Sequence, residues 1–174
     1  MLYKHMILQL QDLPKPGWYW CGEVPQALLE DAELGAVNAL TGLCSDAHWD
    51  VQVHRENGCY RLSGAWRVCM QRQCSRCNAD FDHHLAGESR RNYSLGDVAS
   101  VEADEEVLMP PGRVDLLDVL REDIWLARPA VAVCKDDCMG LCSQCGQDLN
   151  KGQCDCPADD VDHPFAKLKD LKLN

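Results

Sequence analysis

The chain has 174 residues, 46% of them apolar, with twelve cysteines and a formal charge of −11. That is apolar material enough for one medium core plus a small appendage, so metal need not hold the whole molecule together. Net acidity argues against a protein steered to nucleic acid by its overall field, and no segment approaches the ~20 apolar residues of a membrane helix.

Residues 1–18 contain Lys4, His5, Asp12, Lys15 and two prolines, and their longest apolar run is Met6-Ile7-Leu8. A secretory signal needs roughly 7–15 consecutive apolar residues. The expectation is a cytoplasmic chain, where clustered cysteines are metal ligands more often than disulfides. Residues 24–43 carry Leu28, Leu29, Ala32, Val37, Leu40 and Leu43 mostly at helical spacing, with Pro25 at the start and Gly35 in the middle. This predicts one broken helix or two short ones. Trp49, Val51 and Val53 then alternate with polar residues, as do Tyr60, Leu62, Trp66, Val68 and Met70. Asn57-Gly58 between them supplies the positive-φ pair of a tight turn, which predicts a β-hairpin.

The second strand runs into Cys74-Ser-Arg-Cys77, and Phe81, His83 and Leu85 mark another strand, so the cysteine pair falls at a strand-to-strand turn. Residues 101–106 read as an acidic loop. Asp115 opens a helix through Ala127 with Leu116, Leu117, Leu120 and Ile124 as its stripe, and Pro129 ends it. A tail follows with Cys134, Cys138, Cys142-Ser-Gln-Cys145-Gly146 and Cys154-Asp-Cys156. The architecture predicted is α+β: an antiparallel sheet or partial barrel with flanking helices at 1–128, and a cysteine-rich zinc-binding module at 129–174.

Charge is unevenly spread. Nine carboxylates in 97–123 face only Arg113 and Arg121, whereas in 55–76 Arg55, Arg61, Arg67, Arg72 and Arg76 face Glu56 alone. The cationic residues gather near the mid-chain cysteine pair. Thiolates at short, turn-compatible spacings can converge on one tetrahedral ion. Gly146 can take the positive φ a metal-binding knuckle needs after its second ligand. Cys74-x-x-Cys77 lacks that glycine and is the weaker signal.

Taken in order, Cys74-x-Arg76-Cys77, Asp115-Leu116-Leu117, Leu126-x-x-Pro129, Cys138-x-Gly140-Leu141-Cys142-x-x-Cys145-Gly146-x-x-Leu149-Asn150, Cys154-x-Cys156 and Pro164-Phe165 resemble the YceD family of large ribosomal RNA subunit accumulation proteins. The likeness spans about residue 67 to the C-terminus. It implies a cytoplasmic bacterial protein needed for normal levels of large-subunit (23S) ribosomal RNA, in its synthesis, processing or stability, and it supplies no catalytic residues.

The sequence offers no enzyme of its own: no His-Glu-x-x-His, deaminase signature, phosphate loop or nucleophile elbow is present. Eight clustered cysteines suffice for two zinc ions. Cys142, Cys145, Cys154 and Cys156 would form one site, and Cys134 with Cys138 would reach back to Cys74 and Cys77, stapling tail to domain. The alternatives are a single site drawing on Cys138, or a thiolate replaced by His83 or His84. Cys21, Cys44, Cys59 and Cys69 have no partners at ligand spacing and read as small core hydrophobes. Arg67, Arg72 and Arg76 are the expected contacts to large-subunit RNA, unless the acidic region meets a basic ribosomal protein. The rival functions are a zinc-thiolate redox or stress sensor and a zinc-ribbon nucleic-acid-binding accessory factor.

Overall fold

The computed structural model describes residues 6–30, 40–95, 105–108 and 112–156. Its organising element is the hairpin of β3 (Ala47–Glu56) and β4 (Cys59–Gln73), turned by Asn57 at φ 51° and Gly58 at φ 91°. Strict alternation buries Trp49, Val51 and Val53 on β3, and Tyr60, Leu62, Trp66, Val68 and Met70 on β4, all against one core. The chain then reverses through the cysteine turn into β5 (Asp80–Leu95), antiparallel to β4 from Gln73↔Asp80 to Tyr60↔Tyr93. β2 (Trp18–Val24) flanks β3, and β6 (Glu105–Leu108) flanks β5, giving a curled sheet in the order β2-β3-β4-β5-β6. The sheet is antiparallel except for β6, which runs parallel to β5.

One layer across the sheet shows how composition sets its packing. Trp49 on β3 lies opposite Trp66 on β4, and Trp66 lies opposite Gly87 on β5. A Cβ at Gly87 would sit 2.6 Å from the Trp66 ring, so glycine is what lets the indole lie flat across the strand. Trp49 Nε1 donates to buried Ser89 Oγ at 3.2 Å.

Helix α2 (Leu116–Ala127) packs its apolar stripe on β5, and the side chain of Asp115 caps it by accepting from Leu117 N at 3.0 Å. Arg91 of β5 clamps the helix through Asp123 at 2.7 Å and Glu122 at 3.2 Å. Arg121, 2% exposed, reaches the short helix α1 (Gln26–Glu30) and donates to the carbonyls of Leu28 and Leu29. A second, two-stranded sheet pairs β1 (Ile7–Gln9) with β7 (Arg113–Asp115). No helix among the described residues is long and apolar enough to cross a membrane.

The hairpin, the strand after the cysteine turn and the capped helix match the expectations from sequence. Three readings change. The helical reading of 24–43 shrinks to α1 within the described residues: Val24 ends β2, Leu43 makes a β-bridge to Met70, and 31–39 lie outside the description. Glu105 and Glu106 belong to β6, the remainder of that acidic segment being undescribed. Strands β1, β2 and β7 had no sequence signal. In β2, Trp18, Tyr19 and Trp20 place aromatics on both faces, Tyr19 being 64% exposed, which erases the alternation.

Candidate metal centre

Two knuckles carry four of the eight clustered cysteines, and they are built with the same hydrogen bonds. In the first, Asn78 N donates to Cys74 O at 2.9 Å and Cys74 N donates to Ala79 O at 2.8 Å. In the second, Gly146 N donates to Cys142 O at 2.9 Å and Cys142 N donates to Gln147 O at 2.8 Å. The residue after the second cysteine has positive φ in both, 62° at Asn78 and 74° at Gly146. Asparagine is among the few non-glycine residues that enter this region readily. The missing glycine that made the first knuckle the weaker signal is therefore answered by Asn78.

Tertiary structure brings a second cysteine pair to each knuckle. Cys74, Cys77, Cys134 and Cys138 form one group and Cys142, Cys145, Cys154 and Cys156 the other, the sulfurs of each lying within 4.8 Å of one another. Neither group contains a histidine; His83 packs beside Phe81 on one face of β5 and His84 lies on the other. Cys74 Sγ lies 3.8 Å from Cys138 Sγ, and Cys77 Sγ lies 3.7 Å from Cys134 Sγ. Disulfide sulfurs sit about 2.05 Å apart. Four sulfurs about 2.3 Å from a tetrahedral ion are about 3.8 Å from each other. The first group thus has the spacing of a metal-thiolate tetrahedron, and either group could hold a metal ion.

Electrostatics divides the thiols. At Cys74 burial opposes ionisation, but the backbone N–H groups of Cys77, Cys134 and Arg76 outweigh it and bring the thiol down to about 6. At Cys142 the N–H groups of Cys145 and Gln144 do the same, also to about 6. Cys134 is pushed up to about 12 by burial and by its three neighbouring thiols. Cys156 is pushed up to about 12, foremost by Cys145 and then by burial. One anion per group forms readily, and four require a cation among them.

Further contacts tie tail to turn. Arg76 donates to the carbonyls of Asp136 at 3.2 Å and Cys138 at 3.1 Å, and Arg72 donates to Pro129 O at 3.2 Å. Ser75 N donates to Ala132 O and Leu141 N to Arg76 O. Gly140, at φ 75°, sits where a Cβ would be 3.1 Å from Arg76 O. Asn150 accepts from Met139 N at 2.9 Å, and its amide lies 3.5 Å from Cys138 Sγ, which ties the segment after the second knuckle to the first group. Of the three arginines expected to meet a partner, Arg67 stands exposed on the outer face of β4, whereas Arg72 and Arg76 also hold the tail in place. Asn150 stood in the sequence as part of the motif that carries the family resemblance, without a role, and Asn78 only as a residue of ordinary turn composition.

The remaining thiols correct an expectation. Cys44 and Cys69 are joined in a disulfide and Cys21 is exposed, so these are not separate core hydrophobes. The segment before β3 pairs with the end of β4, and that long-range register places Cys44 beside Cys69.

Comparison with known proteins adds three findings. The model of a family described as large ribosomal RNA subunit accumulation protein YceD matches residues 62–172, more than half of the chain and inclusive of both knuckles. The chain is 28% identical over 74 residues to the large ribosomal RNA subunit accumulation protein YCED homolog 1, chloroplastic, of Arabidopsis thaliana; that stretch is 41% of this chain and spans 23% of the relative. No solved structure matches the chain.

Proposed function

Because the chain belongs to the YceD family, we propose that it is a non-catalytic factor required for large-subunit (23S) ribosomal RNA to accumulate, stabilised by two structural zinc ions. The family match over residues 62–172 is the observation that carries the ribosomal role. The sulfur spacing supports the metal: closed four-thiolate sites suit zinc or iron, have no vacant position for water, and so contribute to folding. Metal analysis of protein purified without added zinc tests this part. Two zinc equivalents in protein whose Cys44 and Cys69 are disulfide-bonded support it, and iron with visible absorbance overturns it.

The partner proposed is a precursor of the large ribosomal subunit in the cytoplasm, met through its RNA or a basic ribosomal protein. An acidic chain makes only local phosphate contacts, and Arg67 is the arginine of the trio whose reversal leaves the tail contacts intact. Co-sedimentation of the purified protein with large-subunit precursors is the test, with 23S relative to 16S RNA measured in cells lacking the gene. Arg67→Glu is expected to weaken association and lower the salt slope by about one unit. An RNA ratio unchanged by deletion overturns the ribosomal role, and unchanged binding by Arg67→Glu moves the contact to the acidic region.

A further inference from the structure

A third convergence of ligand atoms lies on the outer face of the sheet, away from both knuckles. Leu43 bridges Met70, Cys44 N donates to Cys69 O at 3.0 Å, and Cys69 N donates to Ser45 Oγ at 3.3 Å. This pairing seats exposed Cys44 beside Cys69, to which it is disulfide-bonded. Asp82 of β5 points to the same place, its carboxylate oxygen and the two sulfurs lying within 4.8 Å of one another. His84 is the cross-strand partner of Cys69, which puts its Cβ about 5 Å from the cysteine's. All four residues line one groove of about 660 Å³.

We propose that Cys44, Cys69, Asp82 and His84 form a redox-gated site for a zinc-class divalent cation, open when the two thiols are reduced and closed when they are bonded. Borderline cations accept thiolate, imidazole and carboxylate donors together, and four such donors make a complete tetrahedral set. The other histidine on the groove is already engaged, His48 Nδ1 lying 2.8 Å from Glu23 and Nε2 3.9 Å from Cys21 Sγ. His84 has no hydrogen bond among the described residues. Glu23, Asp46 and Asp82 against Arg67 leave the groove favourable to a cation.

Closure is a thiol–disulfide exchange with a low-molecular-weight disulfide of the glutathione class. The Cys44 thiolate attacks one sulfur of that disulfide and expels one glutathione thiolate. Cys69 then attacks the Cys44 sulfur of the mixed disulfide and expels the second. Two protein thiols are oxidised, the small disulfide is reduced to two thiols, and both protein protons pass to the departing thiolates. The bonded sulfurs are no longer anionic ligands, and a carboxylate with one imidazole is too small a set for tight binding. In a reducing compartment the thiol form prevails and the site is open. Cys44 lies outside the family-matched stretch, so this centre does not follow from family membership.

Full-length protein, reduced, saturated with zinc and desalted, is compared with Cys44→Ser and Cys69→Ala by elemental analysis per chain. Reduced wild type is expected to carry one equivalent more than either variant. Oxidised glutathione should remove that equivalent, with loss of two hydrogens in the intact mass, while the knuckle equivalents stay; reduction and fresh zinc should restore it. Asp82→Asn and His84→Ala should each lower occupancy of the extra equivalent alone. Cobalt substitution gives a second readout, a thiolate-to-cobalt difference band between reduced wild type and Cys44→Ser. Equal metal in reduced wild type and both variants overturns the site, and an extra equivalent that survives disulfide formation overturns the gating. Neither result bears on the knuckle ions or on ribosomal RNA, since the first is read as a difference between variants and the second as a difference between redox states of one protein.

Discussion

Asn78 and Gly146 occupy one position in two copies of the same knuckle, and the demand there is on the backbone. Asn78→Gly is expected to leave metal content unchanged. Asn78→Val, a β-branched residue at φ 62°, should cost about 1–2 kcal/mol. Competition with a chromophoric chelator would read this as roughly tenfold weaker binding at the first group alone; equal loss at both would mean the knuckles are not independent. The thiols carry a pH dependence. Without a cation, Cys134 and Cys156 keep their protons at neutral pH, and Cys74 and Cys142 protonate as well once the pH falls through about 6. A binding metal must displace every such proton, so affinity should fall with falling pH and fall more steeply below that point. A flat profile would mean that the thiolates are not the ligands.

Between elements, buried polar side chains do the joining. Arg121, itself buried, supplies donors for the carbonyls of Leu28 and Leu29 in α1. Arg121→Met should cost about 2–4 kcal/mol in urea unfolding; a loss near zero would show that water reaches those carbonyls. Arg76 plays a similar part at the surface, where its bonds to Asp136 and Cys138 are partly solvated and worth about 1 kcal/mol. Arg76→Ala should therefore speed hydrogen exchange in 132–141 without slowing refolding of the sheet. A charge reversal at Arg72 and Arg76 would disturb the tail as well as any partner contact, so lost association in that variant could not by itself assign the contact to RNA. Exchange rates unchanged in Arg76→Ala would free the arginine for a partner.

At the scale of the molecule, the two groups of cysteines are expected to do different jobs. The sheet and α2 bury a continuous apolar core, while Cys74, Cys77 and Cys138 form a separate buried cluster at one end. Removing metal with a chelator is expected to unfold 134–156 and leave the sheet with a cooperative thermal transition, reported by Trp49 and Trp66 in near-ultraviolet circular dichroism. Cys142→Ser should lose only the second ion, whereas Cys77→Ser should release the tail from the sheet. Loss of the aromatic signal on chelation would show that the metal supports the whole fold.

The sequence by itself determined the β3–β4 hairpin, the cysteine turn after it and helix α2, because each rests on local chemistry: an Asn-Gly turn, a period of two, an Asp cap ahead of a leucine stripe. Spacing also marked the two knuckles, Cys74-x-x-Cys77 and Cys142-x-x-Cys145, since a knuckle is made by neighbours in the chain, whereas the meeting of Cys134 and Cys138 with the first knuckle is a long-range contact. Only the tertiary structure decided the rest. Strands β1 and β7 are three residues each, β2 has aromatics on both faces, and β6 joins in parallel, so partners distant in sequence select them rather than any periodicity of their own. The same holds for Cys44, twenty-five residues from Cys69 and brought beside it by strand register, and for Arg72 and Arg76, whose charge was legible but whose partners were not. A residue's chemistry is local; which groups surround it depends on long-range pairing that no short window of sequence records.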